Sequence, residues 1–182
     1  MGGPVIALLG ADGSGKTTLA AALAAALAER GLRVRALSAT ADEAPDAHSR
    51  RLDAAADDGS FVLADTPPRL AEALLGRQRC RAALLMGLDL AAEPDRERVD
   101  ARLRATLDAA GLGYAAVDDR VAEAGGEARV SAALAALAAP LGLAPRRADD
   151  AGRPVRPPRL RCRDCLVPGC EHLLFPTPTP TP

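Results

Sequence analysis

Apolar residues concentrate in five short runs along the first 117 positions: VIALL at 5–9, LRVRAL at 32–37, FVLAD at 61–65, AALLMGL at 82–88 and YAAV at 114–117. Short apolar runs bounded by turn residues are what strands buried on both faces of a parallel sheet present. Between them the pattern changes to the helical period. Leu19, Leu23 and Leu27 form one i, i+4 stripe within 17–30, and Gly31 stands where a helix C-terminus favours glycine. Further helices are expected over 45–58, over 69–77 behind Pro67 and Pro68, from Pro94 to Ala110 with Val99, Leu103 and Leu107 on the apolar stripe, and over 126–139 before Pro140. The basic stretch GRQRCR (76–81) reads as a turn into the fourth strand. This alternation predicts an α/β three-layer sandwich with a five-stranded, mainly parallel sheet, because right-handed βαβ crossovers place helices on both faces.

Composition narrows the class. The chain has 182 residues, 48% of them hydrophobic, with 23 Lys plus Arg against 24 Asp plus Glu and a formal net charge of −1. That excludes global disorder and argues against a general nucleic-acid binder. With 42 alanines, two Phe, one Tyr and no Trp, the core must be built from Leu, Val and Ala. No run reaches the ~18 apolar residues needed to span a bilayer, so no membrane association is expected. The N-terminus lacks the basic and cleavable parts of a secretory signal, so the protein is expected in the cytoplasm, with its cysteines reduced or bound to metal. After the expected 1–142 domain the composition changes: an Arg/Pro-rich linker at 143–159, a Cys/His segment at 160–175, and a PTPTPTP tail at 176–182 expected to be disordered.

One asymmetry stands out among the cations, since 22 are Arg and a single one is Lys, at position 16. It lies in GADGSGKT (10–17), a full match to G-x-x-x-x-G-K-[ST], with a buried strand before it and an amphipathic helix after it. Gly10, Gly13 and Gly15 let the backbone wrap phosphate oxygens, with Ala11, Asp12 and Ser14 completing the loop and Thr18 following it into the helix. Lys16 is suited to the β and γ phosphates of ATP and the Thr17 hydroxyl to Mg²⁺. Asp65, ending the third run, suits a carboxylate holding the Mg²⁺ shell or a substrate hydroxyl; as an N-cap of the next helix it would have a purely structural role. Arg96, Arg98 and Arg102 follow the fourth strand, where a lid over the phosphates would lie, and equally read as solvated partners of Asp95, Glu97 and Asp100. Arg77, Arg79 and Arg81 read as a solvated turn, and Asp42 and Glu43 as loop acids or a general base.

These motifs resemble the P-loop kinase group. The spelling with Asp12 inside the loop is similar to thymidylate kinase and related nucleotide kinases. The order of ADTPP (64–68), RAALLMGLDL (81–90) and RERVDARLRATLDAAGLGYAAV (96–117) resembles the NadR-type ATPase/kinase family over about residues 4–139. The resemblance implies ATP at Gly10 to Thr17, Asp65 serving metal or substrate, and a short lid near 91–98. It implies an ATP-dependent phosphotransferase acting on a small-molecule acceptor: a nucleoside, a nucleotide or a nicotinamide riboside-like metabolite. Two readings of another class stay open: a regulatory or assembly ATPase without such an acceptor, and a nucleic-acid-associated ATPase.

The C-terminal segment adds Cys162, Cys165, Cys170 and His172, a C-x2-C-x4-C-x-H set with the donors of a structural Zn²⁺ site. A reduced flexible tail, or a redox dithiol at Cys162 and Cys165, reads the same residues without metal. A protein or nucleic-acid partner of this segment is expected through the arginines before it.

Overall fold

The computed structural model describes residues 2–40, 42–76, 80–87, 94–117 and 126–143. Strands and helices alternate: β1 (Val5–Leu9), α1 (Lys16–Ala28), β2 (Val34–Ser38), α2 (Pro45–Ala56), β3 (Phe61–Asp65), α3 (Pro68–Leu75), β4 (Cys80–Met86), α4 (Pro94–Ala109), β5 (Tyr114–Val117) and α5 (Gly126–Ala138). The strand order is β2-β3-β1-β4-β5, and all four pairings are parallel. The linker beyond Leu143, the Cys/His segment and the tail lie outside the described residues. No described helix is long and apolar enough to cross a membrane.

The handedness of the crossovers explains how the helices divide. From β1 the chain steps toward the β2 edge, and from β2 onward every step runs the other way, so right-handed connections put α1 on one face and α2, α3 and α4 on the other. The core follows. Val5, Ala7 and Leu9 face Leu52 of α2, Leu74 of α3 and Leu103 and Leu107 of α4. Ile6 and Leu8 face Leu19, Leu23 and Leu27 of α1 together with Leu134 and Leu137 of α5. Alternate residues of one strand thus feed two cores, which is why its sequence shows no polar alternation.

Helix ends are set by local chemistry. Proline occupies the first turn of α2 and α3, where its missing N–H costs nothing. Three helices end in the same Gly-Leu pair: the N–H groups of Leu32, Leu112 and Leu143 reach back to the carbonyls of Leu27, Leu107 and Ala138, after Gly31, Gly111 and Gly142 at positive φ. This cap corrects one sequence expectation. Leu32 belongs to the end of α1, so β2 starts at Val34, two residues late, and runs on to Ser38 through its pairing with Asp65. The GRQRCR stretch is corrected too, because Cys80 and Arg81 are in β4, with Cys80 aligned to Val5. Burial pushes the Cys80 thiol up to about 11, which keeps it an uncharged core residue.

Leu85, in β4 beside the central strand β1, is fully buried. Leu85→Ala should lower the unfolding free energy by roughly 2–5 kcal/mol, read as a lower urea midpoint at unchanged slope.

Candidate functional site

The sheet's carboxyl edge holds the polar residues. β1 lies between β3 and β4, and its outgoing connection runs opposite to the one that links its two neighbours, which opens a crevice at the ends of these strands. The GADGSGKT loop fills that point. Its three glycines have φ of 151°, 76° and 78° at Gly10, Gly13 and Gly15. At Gly10 a Cβ would stand 2.7 Å from the Met86 Cβ and 2.9 Å from the Ser14 Oγ, so both conformation and space demand glycine. The loop ends on the first turn of α1, whose N–H groups and dipole give the crevice a positive floor.

Lys16, only 8% exposed, folds back over this loop. Its Nζ donates to the carbonyls of Gly10 at 3.0 Å and Ala11 at 2.8 Å. Burial lowers the ammonium's pKa, against the opposing pull of Asp65 and Asp12. Asp65, at the end of β3 and 6% exposed, accepts from Thr17 Oγ1 at 2.5 Å and Ser38 Oγ at 3.1 Å. Three elements therefore bring a carboxylate and two hydroxyls together beside the loop. Asp12, Thr17 and Thr18 are exposed, and Ser14 Oγ is buried without a hydrogen-bond partner.

Of the arginines expected in a lid, Arg96 reaches the loop: its Nη2 lies 3.4 Å from where a Cβ on Gly13 would be. Arg98 pairs with Asp95 at 2.9 Å and its side chain is 78% exposed. Arg102 is exposed on α4, its carbonyl accepting from Thr106. The segment 91–93, Arg77, Arg79 and the four Cys/His positions Cys162, Cys165, Cys170 and His172 lie outside the described residues. Among the described residues no cluster of metal-ligating side chains is present.

Two features escaped sequence reasoning. Arg129, in the first turn of α5, donates from Nη2 to the Ser14 carbonyl at 2.9 Å. Its Nη1 comes within 2.9 Å of where a Cβ on Gly15 would stand. The available signal was a cation in a first helical turn, where the dipole disfavours it, but 22 arginines obscure any single one. The second is a buried polar cluster beside Asp65. Glu43 takes a two-pronged contact from Arg51, at 2.9 and 2.7 Å, and a third from His48 Nδ1 at 3.0 Å. His48 Nε2 faces Thr66 Oγ1 at 3.2 Å, while Arg69 holds the carbonyls of Glu43 and Thr40. Glu43 is thus occupied in fastening the β2–α2 loop to the end of β3. Burial pushes its carboxyl up, but hydrogen bonds from Arg51, the Thr40 N–H and His48 together hold it below its ordinary value.

Residues 5–47 match the CbiA profile, described as the CobQ/CobB/MinD/ParA nucleotide binding domain. The chain has the P-loop NTPase fold. Curated proteins yield no match. Similar solved structures include a mutant of the Mycobacterium tuberculosis APS kinase CysC, at 16% identity and TM-score 0.32 over 64% of this chain and 75% of that one. The same kinase in complex with AMPPNP and APS matches at 19% identity and TM-score 0.33 over 64% and 62%. A de novo designed protein of P-loop NTPase fold matches at 16% and 0.47 over 76% and 95%.

His48 is 1% exposed, and burial lowers its pKa below the ordinary value despite the Glu43 carboxylate. With both groups depressed in the folded P-loop domain, the unfolded chain binds more protons in acid. Stability should therefore be full above the unfolded imidazole pKa, near 6.5, and decline as pH falls through the histidine and then the carboxylate range. His48→Gln should flatten the upper part of this decline in urea melts at pH 7.5 and 5.5; an unchanged slope there would show that His48 is not its source.

Proposed function

We propose that the protein is an ATP-dependent phosphotransferase acting on a small-molecule acceptor, a nucleoside, nucleotide or nicotinamide riboside-like metabolite. The observation that carries this reading is the G-x-x-x-x-G-K-T loop at the end of the central strand, with a buried lysine folded over it and Asp65 hydrogen-bonded to the threonine that follows. Lys16 would exchange its loop carbonyls for phosphate oxygens, a transfer between acceptors within reach of one flexible side chain. Arg96, beside Gly13, would neutralise charge on the transferring phosphoryl group. Arg98 takes no part in this proposal, given its pairing with Asp95.

The oxygen donors fit Mg²⁺. Thr17 Oγ1 and Asp65 Oδ2 are hard ligands already side by side, and a hydroxyl plus a carboxylate with room for water suits an ion that keeps part of its hydration shell. Bound there, Mg²⁺ would supply charge neutralisation at the phosphates. The chain's own residues supply the rest: the loop backbone binds, Lys16 and Arg96 orient, and Ser38 fixes the Asp65 carboxylate. The C-terminal Cys162, Cys165, Cys170 and His172 would hold structural Zn²⁺.

A second reading is favoured by the profile match over 5–47, whose description names nucleotide binding and no acceptor. In it the chain is a regulatory ATPase whose hydrolysis needs no small molecule. An acceptor panel separates the two. For a phosphotransferase, ADP release from ATP should rise at least ~tenfold when the correct nucleoside, nucleotide or nicotinamide riboside is added. A rate that is the same with every acceptor favours the regulatory ATPase. In either case Lys16→Ala should cut turnover by ~100-fold or more while the circular dichroism spectrum is retained, and turnover close to wild type would overturn the phosphate role of Lys16.

A further inference from the structure

Arg129 has no part in the phosphate chemistry described so far, yet α5 delivers it to the loop across 115 residues of chain. The packing that achieves this is specific. α5 lies beside α1 on one face of the sheet, with Ala133, Leu134 and Leu137 in the same core as Leu19 and Leu23, so its first turn stands level with the first turn of α1. Among the described residues the guanidinium touches the Ser14 carbonyl at 2.9 Å, the Met86 sulfur at 3.9 Å and the face of Gly15. Gly15 has φ 78°, and Nη1 lies 2.9 Å from the position of the Cβ it lacks. The glycine therefore leaves space above the loop backbone, and an arginine from another helix occupies it.

Charge makes this placement informative. The guanidinium sits over the positive end of α1, a few residues from the Lys16 ammonium, and in its own helix it occupies the first turn, where a cation is disfavoured. Cations gathered at one loop suit a polyanion. A guanidinium also carries a planar fork of donors that matches two phosphate oxygens, which a lysine cannot reproduce.

We propose that Arg129 is a phosphate-contacting residue of this site, leaving the Ser14 carbonyl to bind the phosphate chain of a nucleoside triphosphate. This rests on the reading of the loop as an ATP site. The two cations rest on loop carbonyls, Lys16 on Gly10 and Ala11, Arg129 on Ser14, and on binding both transfer to the same anion from opposite ends of the loop.

The test titrates ATP and, separately, inorganic tripolyphosphate into the full chain with Mg²⁺ at one fixed salt concentration, for wild type, Lys16→Ala, Arg129→Gln and Arg129→Lys. Wild type should bind both ligands, and Arg129→Gln should weaken both by about tenfold, with Arg129→Lys recovering part of the loss. Unchanged affinity of Arg129→Gln for both overturns the proposal. So does a loss confined to ATP, which would make Arg129 a contact to the nucleoside. If wild type and Lys16→Ala bind neither ligand, the ATP reading itself fails, a result distinct from failure of Arg129 alone. A crystal structure of the wild-type chain with a non-hydrolysable ATP analogue needs no variant: the guanidinium should lie within ~3.2 Å of a phosphate oxygen, and a guanidinium still on Ser14 and away from the phosphates overturns the proposal even where the variants bind weakly.

Discussion

β1 is dry on every side, and most of the architecture follows from satisfying it. All five of its residues are buried, both faces are covered by helices, and both edges are paired in parallel. Its backbone groups can find partners only in β3 and β4, so those strands must lie beside it, although β3 and β4 are reached only after the chain has gone to the far edge and returned. The first place where polar chemistry can emerge is the loop at its carboxyl end. The register also fixes what stands next to that loop. Leu8 aligns with Asp65, so the last residue of β3 lies level with the penultimate residue of β1, within reach of the first turn of α1.

Electrostatics at that edge are a balance of buried groups, each given a partner of matching kind. Lys16 loses solvent and recovers two carbonyls, while Asp65 loses solvent and recovers two hydroxyls. The partners in both pairings are neutral, unlike those of a direct salt bridge. The neighbouring Glu43 is treated differently. Arg51 engages it with two donors and His48 with a third, a saturated arrangement that suits a fastening rather than a reacting group. Two acids only a short distance apart in the fold thus have different capacities, decided by whether their donors carry charge.

The sequence conveyed the fold where burial was complete. β1 and β3 are expected and found at the same residues because both faces of each strand must be apolar, and β5 agrees as well. It conveyed β2 less well, since this edge strand is half exposed and its arginine at 35 pairs with Asp58 at the surface, leaving helix cap and strand start alike in composition. Cys80 and Arg81 were hidden by a basic turn-like context that pairing with β1 overrode. The conformation of the loop after β1 was legible because its requirement is a backbone one, written in glycines at fixed spacing. Arg129 and the His48 cluster were not, since their meaning depends on which helices share a face, and no local pattern separates them from the other arginines and loop acids.

The isolation of Lys16 has a chemical corollary. It carries the chain's one side-chain primary amine, so reagents that acylate or reductively alkylate lysine have a single side-chain target, at the loop itself. Burial favours the uncharged, nucleophilic form of that amine while the loop carbonyls and the fold restrict approach to it. A mass tag at this position therefore reports on the opening of the loop alone, with no background from surface lysines. In this protein the accessibility of one functional group can be followed without adding a probe.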